Sequence, residues 1–244
     1  MPSPFTAKTL SFLRSLKRHN DREWFRARKS AYEEHVRAPM LALLEQLAPD
    51  LRSFAPELVC DPKASLYRIY RDTRFSEDKS PLKTHVAAHF PLRGVPRGSG
   101  AGLYFEIAPQ WVWMGGGIYM PSSADLRAIR AHIADTHPRL HRVVTRPAFS
   151  RLMGTITGEQ LTRVPIGYPK DHPAAAYLRH KQFLAGRERE AAFATSPRFY
   201  RELVETFRAT APLVQFLNTA LMTRAEAPPV LTSEEARRRP EPMW

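Results

Sequence analysis

The chain has 244 residues, of which 43% are hydrophobic and 25% charged, and it contains a single cysteine, Cys60. It shows no apolar run of the roughly 18–20 residues that cross a membrane, no secretory signal at its start, and no second cysteine for a disulfide within the chain. These features predict a soluble, cytoplasmic protein, and the net charge of +13 excludes an acidic surface that mimics DNA.

The N-terminal part is predicted to be helical. A leucine stripe at helical spacing predicts a first helix over residues 6–18. Asn20 or Asp21 can cap a second helix, and Pro39 ends or kinks that helix or opens a third.

Four strands are then predicted, because the apolar residues change to a period of two. In the second of them, Val86, Ala88 and Phe90 face a core, with His85 and His89 on the opposite side. The glycines at 115–117 follow the fourth strand and are interpreted as a sharp turn, or as a source of backbone amides for an anion. Short loops between the strands predict an antiparallel sheet. The strands are predicted at residues 65–72, 85–93, 103–109 and 111–114.

From Ser122 onward the chain is predicted to be helical. Ser122 or Ser123 can cap one helix, Asp171 another, and Pro212 separates the last two. The tail over residues 224–244, rich in proline and balanced in charge, is predicted to be disordered.

Together these elements predict one α+β domain over residues 1–223. Its sheet is expected to be antiparallel with about four or five strands, flanked by N-terminal and C-terminal helices. No internal repeat is visible, and the sequence does not indicate an oligomeric state.

The segment from Arg68 to His85 is the best candidate for a functional site. Arginine offers a planar fork and lysine a mobile point charge to phosphate or carboxylate groups, and nearby aspartates can orient them. We therefore predict a site that binds, or acts on, a small anionic molecule. The predicted ligand-binding residues are Arg68, Arg71, Asp72, Arg74, Asp78, Lys79 and Lys83. Whether the protein is an enzyme stays open; Asp78 and His85 are the candidate proton carriers.

An ion-pair network that only holds a long loop on the sheet would use the same residue types. This structural interpretation of the Arg68–His85 segment is therefore retained as an alternative. The two interpretations differ in whether the side chains converge beside a cavity.

The same segment, RIYRDTRFSEDKSPLKTH, resembles the signature of a bacterial and fungal family called domain of unknown function 2461. Further matches are LKRHNDREWFRARKSAY, YFEIAPQWVWMGGGIYMPSSADLRAIR and VPIGYPKDHPAAAYLRHK, in the family's order, from Leu10 to about Lys181. Two departures are Leu82, where the family usually has tyrosine, and His19, where it often has asparagine. The resemblance implies no activity, but it places these residues in the family's motifs: Arg68, Arg71, Asp72, Arg74, Asp78, Lys79, Lys83, Gly116, Gly117, Asp171 and His172.

Two other classes of function are retained. A nucleic-acid-binding module would use six arginines on one helical surface, although codon bias in a GC-rich bacterial genome also explains an excess of arginine. An interaction scaffold would dock through the tail over residues 224–244. The arginines of the first alternative are Arg127, Arg130, Arg139, Arg142, Arg146 and Arg151.

Neither a metal site nor a cofactor nor a membrane partner is predicted. The pairs His85/His89 and His137/His141 lack a carboxylate at a known zinc spacing. The glycine string that ends at Gly102 lacks the lysine and hydroxyl residue of a phosphate-binding loop and is predicted to be a hairpin loop.

Overall fold

The computed structural model describes residues 3–74, 76–95 and 99–226, the last three by their backbone alone. Its first half begins with a helical layer in which short helices adjoin one another. The elements of this layer are α1 (Ala7–Arg18), α2 (Arg22–Ala27), α3 (Lys29–Tyr32), a π-helical turn (Glu33–Arg37), α4 (Ala38–Phe54) and α5 (Pro62–Ser65).

The predicted helix starts in this layer are confirmed. The Thr6 side chain caps α1 in a capping box, and the Asp21 side chain accepts a hydrogen bond from the Trp24 amide at the start of α2.

Pro39 does not end the helical run, because Arg37 and Ala38 keep helical backbone angles and the chain passes from α3 through the π-helical turn into α4 without a break. The carbonyl of His35, four residues before Pro39, accepts a hydrogen bond from the Thr9 hydroxyl at 2.7 Å instead.

The described residues form one antiparallel sheet of four strands in the order β1-β2-β3-β4. Its strands are β1 (Val86–Phe90), β2 (Gly102–Ile107), β3 (Trp111–Ile118) and β4 (Phe183–Glu190). Neighbours in the sheet are neighbours in sequence, although residues 119–182, which include α6 (Ser123–Val144), separate β3 from β4.

The remaining helices are α6 (Ser123–Val144), α7 (Pro147–Met153), α8 (Ala175–Leu178), a 3₁₀ helix (Ala191–Thr195) and α9 (Phe199–Glu226). Of these, α9 packs against one face of this sheet and α6 packs against α9. Phe105 of β2 lies beside Phe199 and Phe207 of α9, with ring centroids 6.4 and 6.3 Å away. All three side chains are fully buried, so the hydrophobic core lies between the sheet and α9.

The prediction of an α+β fold with an antiparallel sheet and flanking helices is confirmed, but two of its strand assignments were wrong. Residues 65–72 form only isolated bridges, Leu66 with Ala88 and Tyr70 with Leu82. The chain advances two residues from Tyr67 to Ile69 but four on the opposite side, from Lys83 to Ala87. Regular pairing fails there because the extra residues, Thr84 and His85, bulge out of the ladder.

The other wrong strand assignment lies at the C-terminal side, where the chain was predicted to be helical throughout. Residues 183–190 form β4 and pair with β3 along its whole length, from Trp111–Glu190 to Ile118–Phe183. The glycines at 115–117 therefore lie within a strand and do not form a turn.

Two predicted helix boundaries were also wrong. α9 continues through Pro212, because the buried residues on both sides of it, Ala211 and Leu213, keep the helix packed against the sheet despite the lost hydrogen bond. Asp171 does not cap α8; the Ala174 amide donates instead to Nδ1 of His172, at 3.0 Å.

No helix among the described residues combines the length and hydropathy that a membrane crossing requires.

Candidate functional site

A cleft of about 630 Å³ opens on the face of the sheet that α9 does not cover, and we call it the sheet cleft. Its lining includes alternate residues of the strands, and the residues between them point into the core. Residues just before β1 and just after β3 complete it. The side chains that matter for chemistry are Tyr67, Lys83, His85, His89, Tyr104, Glu106 and Trp113.

Glycines give the sheet cleft its depth, because they let large rings lie against the strands. A Cβ added to Gly186 would come within 2.3 Å of the Trp113 indole, and one added to Gly115 within 2.9 Å. A Cβ on Gly102 would likewise lie 2.5 Å from Nε2 of His89. Glycine is therefore required at these positions, because side chains of the same or a neighbouring strand approach the backbone closely there.

The glycine-rich rim of the cleft is held from the core side. Oδ1 of Asn218, on α9, accepts a hydrogen bond from the Ala101 amide at 2.8 Å, and its Nδ2 donates to the Ala101 carbonyl at 3.1 Å. Asn218 is 2% exposed, so both bonds are shielded from water. They fix the backbone of Ala101, whose neighbours Gly100 and Gly102 line the cleft.

Glu106 carries a negative charge into the cleft and is held in one orientation. One carboxylate oxygen accepts a hydrogen bond from Nε1 of Trp111 at 2.8 Å, and the other accepts from the Tyr104 hydroxyl at 2.7 Å. Nε2 of His85 lies 3.7 Å from the same oxygen that Tyr104 contacts. The carboxylate is thus positioned to stabilise a positive charge on His85.

His85 is the group in this arrangement best suited to accept a proton. Burial lowers its pKa below the ordinary value of 6.5, and the charges of Lys83 and Arg71 lower it further, while Glu106 opposes the shift. The imidazole is therefore neutral at neutral pH. The pKa of Tyr104 is raised by burial and by Glu106, so its hydroxyl stays a hydrogen-bond donor.

Lys83 supplies a cation to the same lining. Its ammonium group lies 4.3 Å from the centre of the Tyr67 ring, a cation–π contact. The Tyr67 ring is nearly parallel to that of His89, with 12° between the ring planes. Lys83 and His85 are the two predicted site residues that the structure brings together in the cleft.

Most other predicted residues pair with one another inside the 71–80 loop. Arg71 forms an ion pair with Asp78, and Arg74 contacts Asp72 through two hydrogen bonds of 3.0 and 2.8 Å. Lys79 donates to the Thr73 carbonyl at 3.1 Å. Hydrogen bonds from Arg74 lower the pKa of Asp72 to about 2. The pKa of Asp78 is lowered above all by hydrogen bonds with Ser80 and then by Arg71.

Arg68 lines a second hollow, which faces α3 and the π-helical turn, although its charge also acts on Asp72 of the loop. The predicted set is therefore distributed over three places: the sheet cleft, the loop's internal ion pairs and this hollow. Of the two candidate proton carriers, His85 lines the cleft and Asp78 does not.

Several residues of the cleft were not predicted as site residues, although the alternation in the sequence already placed some of them. Tyr104 and Glu106 alternate with the core residues Leu103, Phe105 and Ile107, which indicated the opposite face. Their meeting with His85 depends on strand register, and no pattern in the sequence gives that register.

The six arginines of the nucleic-acid alternative do not all remain available on a surface. Arg130 donates to the carbonyls of Leu178 and His180, at 2.9 and 3.0 Å, and so ties α6 to the chain after α8. The other five are exposed. The proposed docking tail lies outside the described residues, apart from the backbone of the three residues that end α9.

Among the described residues, no three histidine, cysteine, aspartate or glutamate side chains converge as a metal site would require. Cys60 is half-buried, and burial raises the pKa of its thiol, which keeps it protonated and poorly nucleophilic.

The fold and the cleft define an α+β protein whose sheet is covered by helices on one face and open to a concave site on the other. Residues 8–216 match the family described as conserved hypothetical protein (DUF2461), and the chain belongs to this family. Neither a curated protein nor a solved structure matches the chain.

Proposed function

We propose that the protein binds a small molecule with a planar body and an anionic group in the sheet cleft, and that His85 accepts a proton there. The observation that carries this proposal is the combination of aromatic rings, a cation and a neutral histidine around one concave volume. The volume of about 630 Å³ is within the range of small-molecule sites.

Three aromatic side chains support a planar ligand body. Tyr104 lies beside Trp113 with ring centroids 6.0 Å apart, and beside Tyr67 at 6.3 Å. Such rings offer apolar faces that lose little conformational freedom when a flat molecule stacks on them. The glycines below Trp113 keep its indole flat, so its face is available to a ligand.

The charges around His85 support an anionic group. Lys83 and Arg71 both act on the imidazole as positive charges, against the single carboxylate of Glu106. That carboxylate already accepts hydrogen bonds from Trp111 and Tyr104. A phosphate or carboxylate beside Lys83 would therefore meet a favourable potential.

The pair of His85 and Glu106 supports proton transfer. A neutral imidazole can take a proton from an O–H, N–H or acidic C–H group of the ligand. The imidazolium that forms would be stabilised by Glu106, at 3.7 Å. Glu106 acts through His85 in this scheme and is a positioning residue.

The proposal is tested by a thermal-shift titration with two probes, 1-naphthyl phosphate and 1-naphthoate, which share a planar body substituted at the same ring position and differ in the anionic group. A probe at about 100 times its dissociation constant adds roughly 2.7 kcal/mol to the free energy of unfolding. We expect Lys83→Gln to weaken binding by about tenfold or more, because a charge-assisted contact is lost.

The matched control is Lys79→Gln, a lysine of the same segment that contacts the Thr73 carbonyl and does not line the cleft. It should leave probe affinity unchanged. If neither probe raises the melting temperature, or if both lysine variants respond as the wild type does, the proposal is wrong.

A further inference from the structure

A second concave surface adjoins the sheet cleft at Tyr67, which lines both, and lies where α3 and the π-helical turn face the extended residues 66–70. We call it the basic hollow, and its volume is about 320 Å³. Four cationic side chains and one carboxylate line it. They are Lys29, Arg37, Lys63, Arg68 and Glu33.

The positive charges of the basic hollow outnumber the carboxylates near them, which are Glu33 in the lining and Asp72, whose carboxylate the charge of Arg68 stabilises. Arg37 forms an ion pair with Glu33 at 3.1 Å, which uses the one carboxylate of the lining. Within the part of the chain that the structure describes, Lys29, Lys63 and Arg68 make no hydrogen bond or ion pair through their side chains. Like charges that line one hollow repel one another, and a multiply charged anion would relieve that repulsion.

A tyrosine hydroxyl gives a second indication of a ligand. Tyr32 is 5% exposed, and its hydroxyl makes no hydrogen bond to any described residue. The groups that act electrostatically on it, Glu33, Arg37 and Tyr70, all line the basic hollow, which locates the hydroxyl there. Burial above all raises its pKa to about 12, so it remains a donor. Its oxygen is not one of the described side-chain atoms that are closed off from solvent without a partner, so it opens onto the hollow and can donate to an oxyanion there.

We propose that the basic hollow is a second anion site, independent of the sheet cleft, and that it takes a phosphate-bearing small molecule. Arg68 supplies the planar fork that suits phosphate oxygens, Lys29 and Lys63 supply point charges, and Tyr32 donates a hydrogen bond from below. The volume suits a phosphate monoester with a small organic part. A phosphate group, with close to two negative charges at neutral pH, balances more of the local charge than a carboxylate does.

Calorimetric titration with inorganic pyrophosphate at low ionic strength tests this site. We expect saturable binding that Lys63→Gln and Arg68→Gln each weaken by about tenfold, as loss of one charge-assisted contact would. Tyr32→Phe, which removes only the hydroxyl, should weaken it by about fivefold or more. Without pyrophosphate, the two charge variants should melt at or above the wild-type temperature, because a repulsion is removed.

A control variant separates this site from other cations. Lys170→Gln changes an exposed lysine outside both concave surfaces and should bind pyrophosphate as the wild type does. Absence of binding, or equal affinity in Arg68→Gln, Tyr32→Phe and wild type, would overturn the proposal. Loss of binding in Lys83→Gln alone would assign pyrophosphate to the cleft and also overturn it.

Discussion

The two faces of the sheet are built from the same strands but hold opposite kinds of side chain. Toward α9, β2 presents Leu103, Phe105 and Ile107, all fully buried. On the open face it presents Tyr104 and Glu106, which meet histidine and tryptophan side chains from the neighbouring strands. Because side chains alternate along a strand, stability and chemistry can be assigned to alternate residues of one short segment.

The largest expected effect is a difference in stability loss between variants on the two faces of the sheet. Phe105→Ala removes a fully buried ring from the core and should lower the free energy of unfolding by about 3–5 kcal/mol. Trp113→Ala, on the open face, should cost less because the indole is only half-buried. Urea denaturation of both variants measures the difference. An equal or greater loss for Trp113 would show that the open face is structural as well.

An intermediate effect is expected where the open face depends on a glycine. In Gly186→Ala, the new Cβ would lie 2.3 Å from Cζ2 of Trp113 and 2.8 Å from the Met114 carbonyl. The indole must lift from the sheet, and we expect a loss of about 1–3 kcal/mol, as for other overpacked sites, with a change in tryptophan fluorescence.

The double variant with Trp113→Leu is the control for Gly186→Ala. Removing the indole should recover part of the loss, leaving the contact with the Met114 carbonyl. If the two losses simply add, the glycine does not serve to make room for the indole.

The smallest effect concerns pH. The folded-state pKa of His85 is lower than its unfolded value, about 6.5, so the unfolded chain binds a proton more readily. The contribution of the neutral imidazole to stability is therefore complete above pH 6.5 and is lost as the pH falls from there through the folded pKa. His85→Gln should flatten this part of a curve of stability against pH.

Lys83→Gln removes one of the charges that lower the pKa of His85 and should flatten the same curve by a smaller amount. Urea denaturation at several pH values between 4 and 8 measures both variants. A slope in His85→Gln equal to that of the wild type would mean that His85 is not the group responsible.

Local patterns predicted the fold well wherever one residue type or one period decides the structure. Asp21 and Ser122 cap helices as predicted, and the alternation along β1 and β2 indicated the correct core face. β4 was missed because its sequence, FLAGRERE, buries few side chains. Its arginines are held instead by Glu202 of α9, through contacts of 3.3 and 2.7 Å that depend on the tertiary fold.

The site was predicted only in part, for a related reason. Lys83 and His85 line the cleft, but Arg68 faces a separate hollow, and Arg71 and Arg74 pair with aspartates of their own loop. In a regular strand the period of two fixes where each side chain points. The break in pairing at Thr84 and His85 removes that rule, so composition alone could not separate ligand-facing cations from loop-holding ones.

The two hydrogen bonds between Asn218 and Ala101 couple the open face of the sheet to the face that α9 covers. The rim at Gly100–Gly102 cannot widen unless α9 moves with it or two bonds shielded from water break. The range of molecular sizes that fits the cleft is thus set partly by a residue that no occupant could touch. Repacking of the C-terminal helix could retune that range while every side chain in the cleft stayed the same.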